Sequence, residues 1–231
     1  MTALWMHFLA GIPMVDSPDR QPEWLKWGFV LTWLPSLQGG PEGTTLQTTY
    51  TVSLILFQPP VETLQRLIAF VQSPSWTEAM ADPYVLVDLA LLSWYHRIDK
   101  AAWDVNTLIR TEEQDIFRRT RTFRSTSDKV SAIAEIDLHR IHTSAKNAVF
   151  MIESLDSAIR LVDAALSDHE EWCGDKGSRA WLNIHRRLRH RGELFQSSRL
   201  RTVSSQARIK NTVDLVCLLK HLNNTSPVAP S

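Results

Sequence analysis

Proline is missing from the chain between Tyr84 and Ser226, and glycine nearly so: only Gly174, Gly177 and Gly192 fall in that span. Proline removes a backbone donor and clashes with the preceding turn, so its absence over this length permits extended helices. Cysteine is scarce. Cys173 and Cys217 alone build no disulfide framework, which makes a reduced, cytoplasmic setting the expectation. Neither sign of charge is in excess, with 25 Lys plus Arg against 25 Asp plus Glu, so no global field draws the chain to nucleic acid or a membrane surface. A long apolar run is lacking too. The segment from Met1 to Val15 has no basic start, Leu86 to Tyr95 carries Asp88, and neither approaches the roughly twenty apolar residues of a membrane helix. No Gly-x-Ser-x-Gly elbow, phosphate loop or dinucleotide fingerprint occurs. A protein without enzymatic activity or cofactor is therefore expected.

What the proline-free span does contain is a repeating apolar stripe. Ala134, Leu138, Ile141, Ala145, Ala148, Ile152, Leu155, Ile159, Val162, Leu166 and His169 alternate at spacings of four and three. They form one face of a helix on the order of 50 Å long. A sustained 3.5-residue period favours left-handed supercoiling against a partner helix, either in a stalk or in an antiparallel bundle. Asp156 falls off this stripe and reads as exposed. An earlier run holds Leu91, Tyr95, Ile98, Ala102, Val105, Ile109 and Ile116, interrupted by Glu112, with Asp82-Pro83 as its start. A later one places Trp181, Leu188, Phe195, Ile209 and Val216 on a seven-residue register with Thr202, and Gly192 is a candidate bend. Ser178 suits its N-cap. Predominantly helical spans are predicted from Tyr84 to Phe117, Val130 to Trp172 and Ser178 to Leu222. The long stripe demands a covering surface, either the Tyr84 helix folding back or another chain, and the weaker apolar content of the last helix points to self-association or a related partner to complete it.

The first eighty residues are punctuated by prolines, Gly39-Gly40 and Gly43. Thr48 to Phe57 reads as a strand and Gly28 to Trp33 as a weaker one. Val61, Leu64, Ile68 and Val71 then outline a short amphipathic helix after Pro59-Pro60. The expected class is α+β, mainly α. A small mixed segment covers 1–82, a long-helix region 83–224 and a disordered tail 225–231, without a Ser/Gly linker between the first two.

Three clusters are candidates for chemistry. Glu135, His139 and His142 lie four and three apart on one helical face, a spacing that can supply metal ligands, although the plainer reading is a polar flank. Glu112, Glu113 and Asp115 offer oxygen ligands for a hard cation, or simply a solvated face. The run His185-Arg186-Arg187-Leu188-Arg189-His190-Arg191 is the densest basic stretch. Its charges point around a helix rather than along one face and no aromatic platform accompanies them, so local acid partners are expected and nucleic acid is not.

The order of several of these features resembles a known family. A strand ending in Leu56-Phe57 is followed by Trp76, Asp82-Pro83-Tyr84 and Trp103 with Ile109-Arg110 and Glu112. Glu135-Ile136 then leads to His139 and His142, and the series closes with Ser198, Leu200-Arg201, Ser204, Arg208 and Asn211. Over roughly residues 50 to 222 this resembles the divergent fungal branch of the CorA-like magnesium-transporter family. Trp103, Arg110, Glu112, Arg201, Arg208 and Asn211 are the family-like positions. The resemblance implies a cytosolic α/β domain feeding long stalk helices, and Mg2+ enters the reading through it alone. The Gly-Met-Asn pore signature is missing, and Asn223-Asn224-Thr225-Ser226-Pro227 stands where a first span is due. The expectation is thus the cytosolic part only, a truncated product or stalk-like domain acting by helix–helix association with itself or a related CorA-like chain. The alternative is a helical adaptor unrelated to ion transport.

Overall fold

The computed structural model describes residues 2–12, 23–38, 47–121, 136–172 and 176–225. Three strands, β1 (Thr2–Ile12), β2 (Glu23–Gln38) and β3 (Gln47–Phe57), form an antiparallel sheet in the order β1-β2-β3. Alternation of side chains sends Leu4, Met6, Phe8 and Ala10 of β1, with Trp27, Phe29, Leu31 and Trp33 of β2, to one buried face. The register of β2 on β3 pairs Gly28 with Phe57, Val30 with Ile55 and Leu34 with Thr51 on the other face. That face keeps Trp5, Leu9, Leu34, Ile55 and Phe57 exposed. Gly28 has a steric reason to be glycine: a Cβ there would lie 2.8 Å from the Met6 carbonyl oxygen on β1. The chain leaves β3 through Gln58, whose φ of 50° turns it into Pro59-Pro60.

Among the described residues five helices follow: α1 (Val61–Val71), α2 (Trp76–Ala81), α3 (Tyr84–Arg121), α4 (Leu138–Glu171) and α5 (Arg179–Thr225). The caps explain their starts. Asp82 Oδ1 accepts from the Tyr84 amide at 3.0 Å, and Ser178 Oγ accepts from Trp181 at 3.1 Å. Asp137 Oδ1 accepts from the amides of His139 and Arg140. This last cap sets the start of the helix within the span predicted to be predominantly helical from Val130 to Trp172. Ile136 and Asp137 are not helical because the Asp137 carboxylate takes the amides of the first turn. The stretch 130–135, with Ala134 at the head of the stripe, lies outside the described residues. Gly192 does not interrupt α5, which runs helical through it.

Two compact units are interleaved along the chain: one comprises 1–10, 24–99 and 154–197, the other 11–23, 100–153 and 198–231. In the first, the buried sheet face meets α3 through an aromatic cluster. Phe8 stacks on Trp27 at 4.3 Å, and Trp94 lies 5.3 Å from Phe8. The Arg97 guanidinium reaches Glu62 of α1 at 3.3 Å, and α2 packs on β3. In the second unit, Val105, Ile109 and Ile116 of α3, Ile141 and Ala148 of α4, and Ile209 and Val216 of α5 form one core with Ile136. Within it α3 and α5 run parallel, since Trp103 meets Arg201, Asn106 meets Ser205 and Glu113 meets Arg208.

The long stripe is covered by the chain's own helices. Ile141, Ala148, Leu155, Val162 and His169 are buried, while Leu138, Ala145, Ile152, Ile159 and Leu166 are half-buried. Of the two sources of cover the stripe allows, other helices of the chain and a second chain, the described residues show the first. Asp156 is half-buried rather than exposed. The amphipathic reading of α1 inverts. Val61, Leu64, Ile68 and Val71 are exposed, and Thr63 and Leu67 are the residues it buries.

Candidate functional site

In the second unit, turns of α3 and α5 bring two rows of polar side chains together. Trp103, Asn106, Thr107 and Arg110 recur at spacings of three, one and three along α3; Arg201, Ser204, Ser205 and Arg208 recur at the same spacings along α5. They line a cavity of about 260 Å³. The guanidinium of Arg201 stacks over the Trp103 ring at 4.1 Å and donates to Ser198 Oγ at 3.1 Å. Ser205 Oγ donates to Asn106 Oδ1, which leaves Asn106 Nδ2 buried without a hydrogen-bond partner among the described residues. Arg208 forms a two-point pair with Glu113, with Nε at 3.1 Å from Oε1, and this bond pushes the Arg208 pKa up from its ordinary value. Arg110 is exposed and has no ion-pair partner among the described residues. Of the six family-like positions, the fold thus gathers Trp103, Arg110, Arg201 and Arg208.

Glu112 and Asn211 go elsewhere. Asn211 is exposed. Glu112 is 5 % exposed, and its Oε1 lies 2.5 Å from Nε of Arg140 on α4. Burial raises its pKa more than the Arg140 guanidinium lowers it. The solvated acidic face expected from sequence is therefore divided among cations. Glu112 pairs with Arg140, Glu113 with Arg208, and Asp115 with Arg119 at 2.9 Å.

The metal candidates do not assemble among the described residues. His139 and His142 are exposed, Glu135 lies outside the described residues, and no group of three His, Cys, Asp or Glu among the described residues is placed to hold an ion. His142 instead lines a shallow cavity of about 480 Å³ with Ala145, Val203, Ala207 and Val213.

A second polar centre, not anticipated from sequence, is sealed in the first unit. His169 is fully buried, its Nε2 3.0 Å from Asp82 Oδ2 and its Nδ1 3.4 Å from Nδ1 of His185. Trp181 stacks on His185 at 4.8 Å with 7° between planes and on His169 at 4.9 Å with 13°. Tyr84 meets the His169 ring edge-on at 4.8 Å, and burial pushes the Tyr84 hydroxyl well above the usual tyrosine range. This relay ties together the start of α3, the end of α4 and the start of α5. Its signal in the sequence was His169, read as the last member of the apolar stripe.

The basic run of α5 is also accounted for. Asp88 is fully buried in α3, and Arg187 and Arg191 converge on it at 2.5 and 2.7 Å. The acid partner is remote in sequence, not local as expected. Neither protein-family models nor curated proteins nor solved structures match the chain.

Proposed function

We propose that the chain acts by association rather than catalysis, as a relative of the cytosolic part of a CorA-like transporter that pairs with a second copy of itself. The carrying observation is the exposed apolar surface on the outer face of the sheet and on α1. The outer face of the sheet presents Trp5 at 73 % exposure, Ile55 at 56 % and Phe57 at 51 %. α1 turns Val61, Leu64, Ile68 and Val71 outward as well. Isolated apolar residues are ordinary on a surface, whereas rows of them mark contact sites. Lys26 and His7 are the only ionisable groups among the described residues of that sheet face, so an equally apolar surface is the fitting counterpart. In light scattering, the full chain should weigh a dimer or more, and Ile55→Asp with Phe57→Asp should return it to a monomer with unchanged circular dichroism. A wild-type chain that stays monomeric as concentration rises would overturn the reading.

A further inference from the structure

We propose that the cavity between α4 and α5 in the second unit binds a small alkyl carboxylate, its tail on the apolar floor and its head held by Lys210 and His142. Four of the lining side chains, Ala145, Val203, Ala207 and Val213, are apolar, and Ala145 and Val213 pack directly on the core of the unit. The floor is an outward extension of that core. The volume of about 480 Å³ falls within the roughly 300–1,000 Å³ of small-molecule sites, which are likewise mostly apolar with a few polar groups. From α4 the lining takes only His142 and Ala145, a single turn, which suits a small molecule rather than a docked peptide helix. The polar part of the lining is His142 from α4 with Gln206 and Lys210 from α5. His142 and Lys210 are exposed, and neither side chain has a hydrogen-bond or ion-pair partner among the described residues. No carboxylate competes for them within the lining. α4 carries no Asp or Glu from Leu138 to Ile152, and α5 none from Leu194 to Val213. On α3, Glu112 and Glu113 are taken by Arg140 and Arg208. One ammonium beside an imidazole matches one negative charge on two oxygens. A phosphate dianion is better served by guanidinium forks, and no arginine lines this cavity.

The test titrates octanoate into the full-length chain at fixed ionic strength and follows the methyl signals of Ala145, Val203 and Val213 by NMR. Saturable shifts are expected, weakened about threefold to tenfold in Lys210→Met, which keeps the stem without the charge, and about twofold or more in His142→Ala. Ala207→Trp, at an exposed helix position, fills the cavity and should abolish the shifts with unchanged circular dichroism. Arg160→Ala, an exposed charge on α4 in the other unit, serves as the control and should bind as wild type. Acetate offers the head without the tail and should bind about tenfold more weakly or worse; octan-1-ol offers the tail without the charge and should lose about threefold or more. Non-saturable shifts, acetate or octan-1-ol binding as tightly as octanoate, or equal affinity in wild type and in Lys210→Met, His142→Ala or Ala207→Trp would overturn the proposal.

Discussion

Single side chains carry the acid response of this fold. His185 stands between Trp181 and His169, and burial, followed by the neighbouring His169, lowers its pKa from the ordinary 6.5. A depressed folded-state value means that the unfolded chain takes up the proton first as pH falls. The stabilisation is therefore present above about 6.5 and is lost as the pH drops through the folded value. Urea midpoints measured between about pH 7.5 and 5 should decline on the acid side, and His185→Gln should flatten that part of the curve. Identical slopes for the two proteins would remove His185 as the cause. Glu112 has the opposite sign: its raised pKa contributes most below the ordinary 4.5, and that contribution is lost as pH rises through its folded value. Packing is equally local. Leu155 is fully buried, so Leu155→Ala should cost about 2–5 kcal/mol in chemical denaturation, while Glu153→Ala two residues away on the exposed side should cost under about 0.5 kcal/mol. Comparable losses at both positions would show that the helix faces are misplaced.

Among the elements, glycine plays two contrary parts. A Cβ on Gly192 would meet only Val162 Cγ1, at an ordinary 3.4 Å, so Gly192→Ala should stabilise α5 by about 0.5–1 kcal/mol through helix propensity. A Cβ on Gly28 would strike strand backbone, and Gly28→Ala should destabilise by about 1–3 kcal/mol because β1 and β2 must move apart. Thermal melts of both variants check the pair, and shifts of the same sign would contradict the geometry. The long helices were legible because nothing in 84–225 forbids them and their caps are written in Asp82 and Ser178. β1 was not legible. Its inward Leu4, Met6 and Phe8 alternate with an outward Trp5 and Leu9, so both faces look apolar and the strand period vanishes. α1 was legible as a helix but not in its orientation, because tertiary packing buried Thr63 and left the apolar row outside. Four of the six family-like residues share one cavity, yet their sequence positions gave no hint of it. The Asn106–Ser205 bond joins residues 99 apart and the Arg191–Asp88 pair residues 103 apart, distances over which periodicity carries no information.

At the scale of the whole molecule, neither compact unit is a continuous stretch of chain, because α3, α4 and α5 each divide their length between the two. A fragment ending at residue 121 keeps the sheet and α1 to α3 but loses 154–197, and with it His169, Leu155, Leu188 and Phe195. The fragment should show no cooperative melting transition and should be digested rapidly by protease. A sharp two-state melt from it would mean that the first unit stands without its later helices. The same interleaving bears on ancestry. Splicing, recombination or gene fusion moves contiguous coding segments, and no single cut in this gene separates one unit from the other. An exchange of one contiguous segment therefore cannot replace one unit and leave the other untouched.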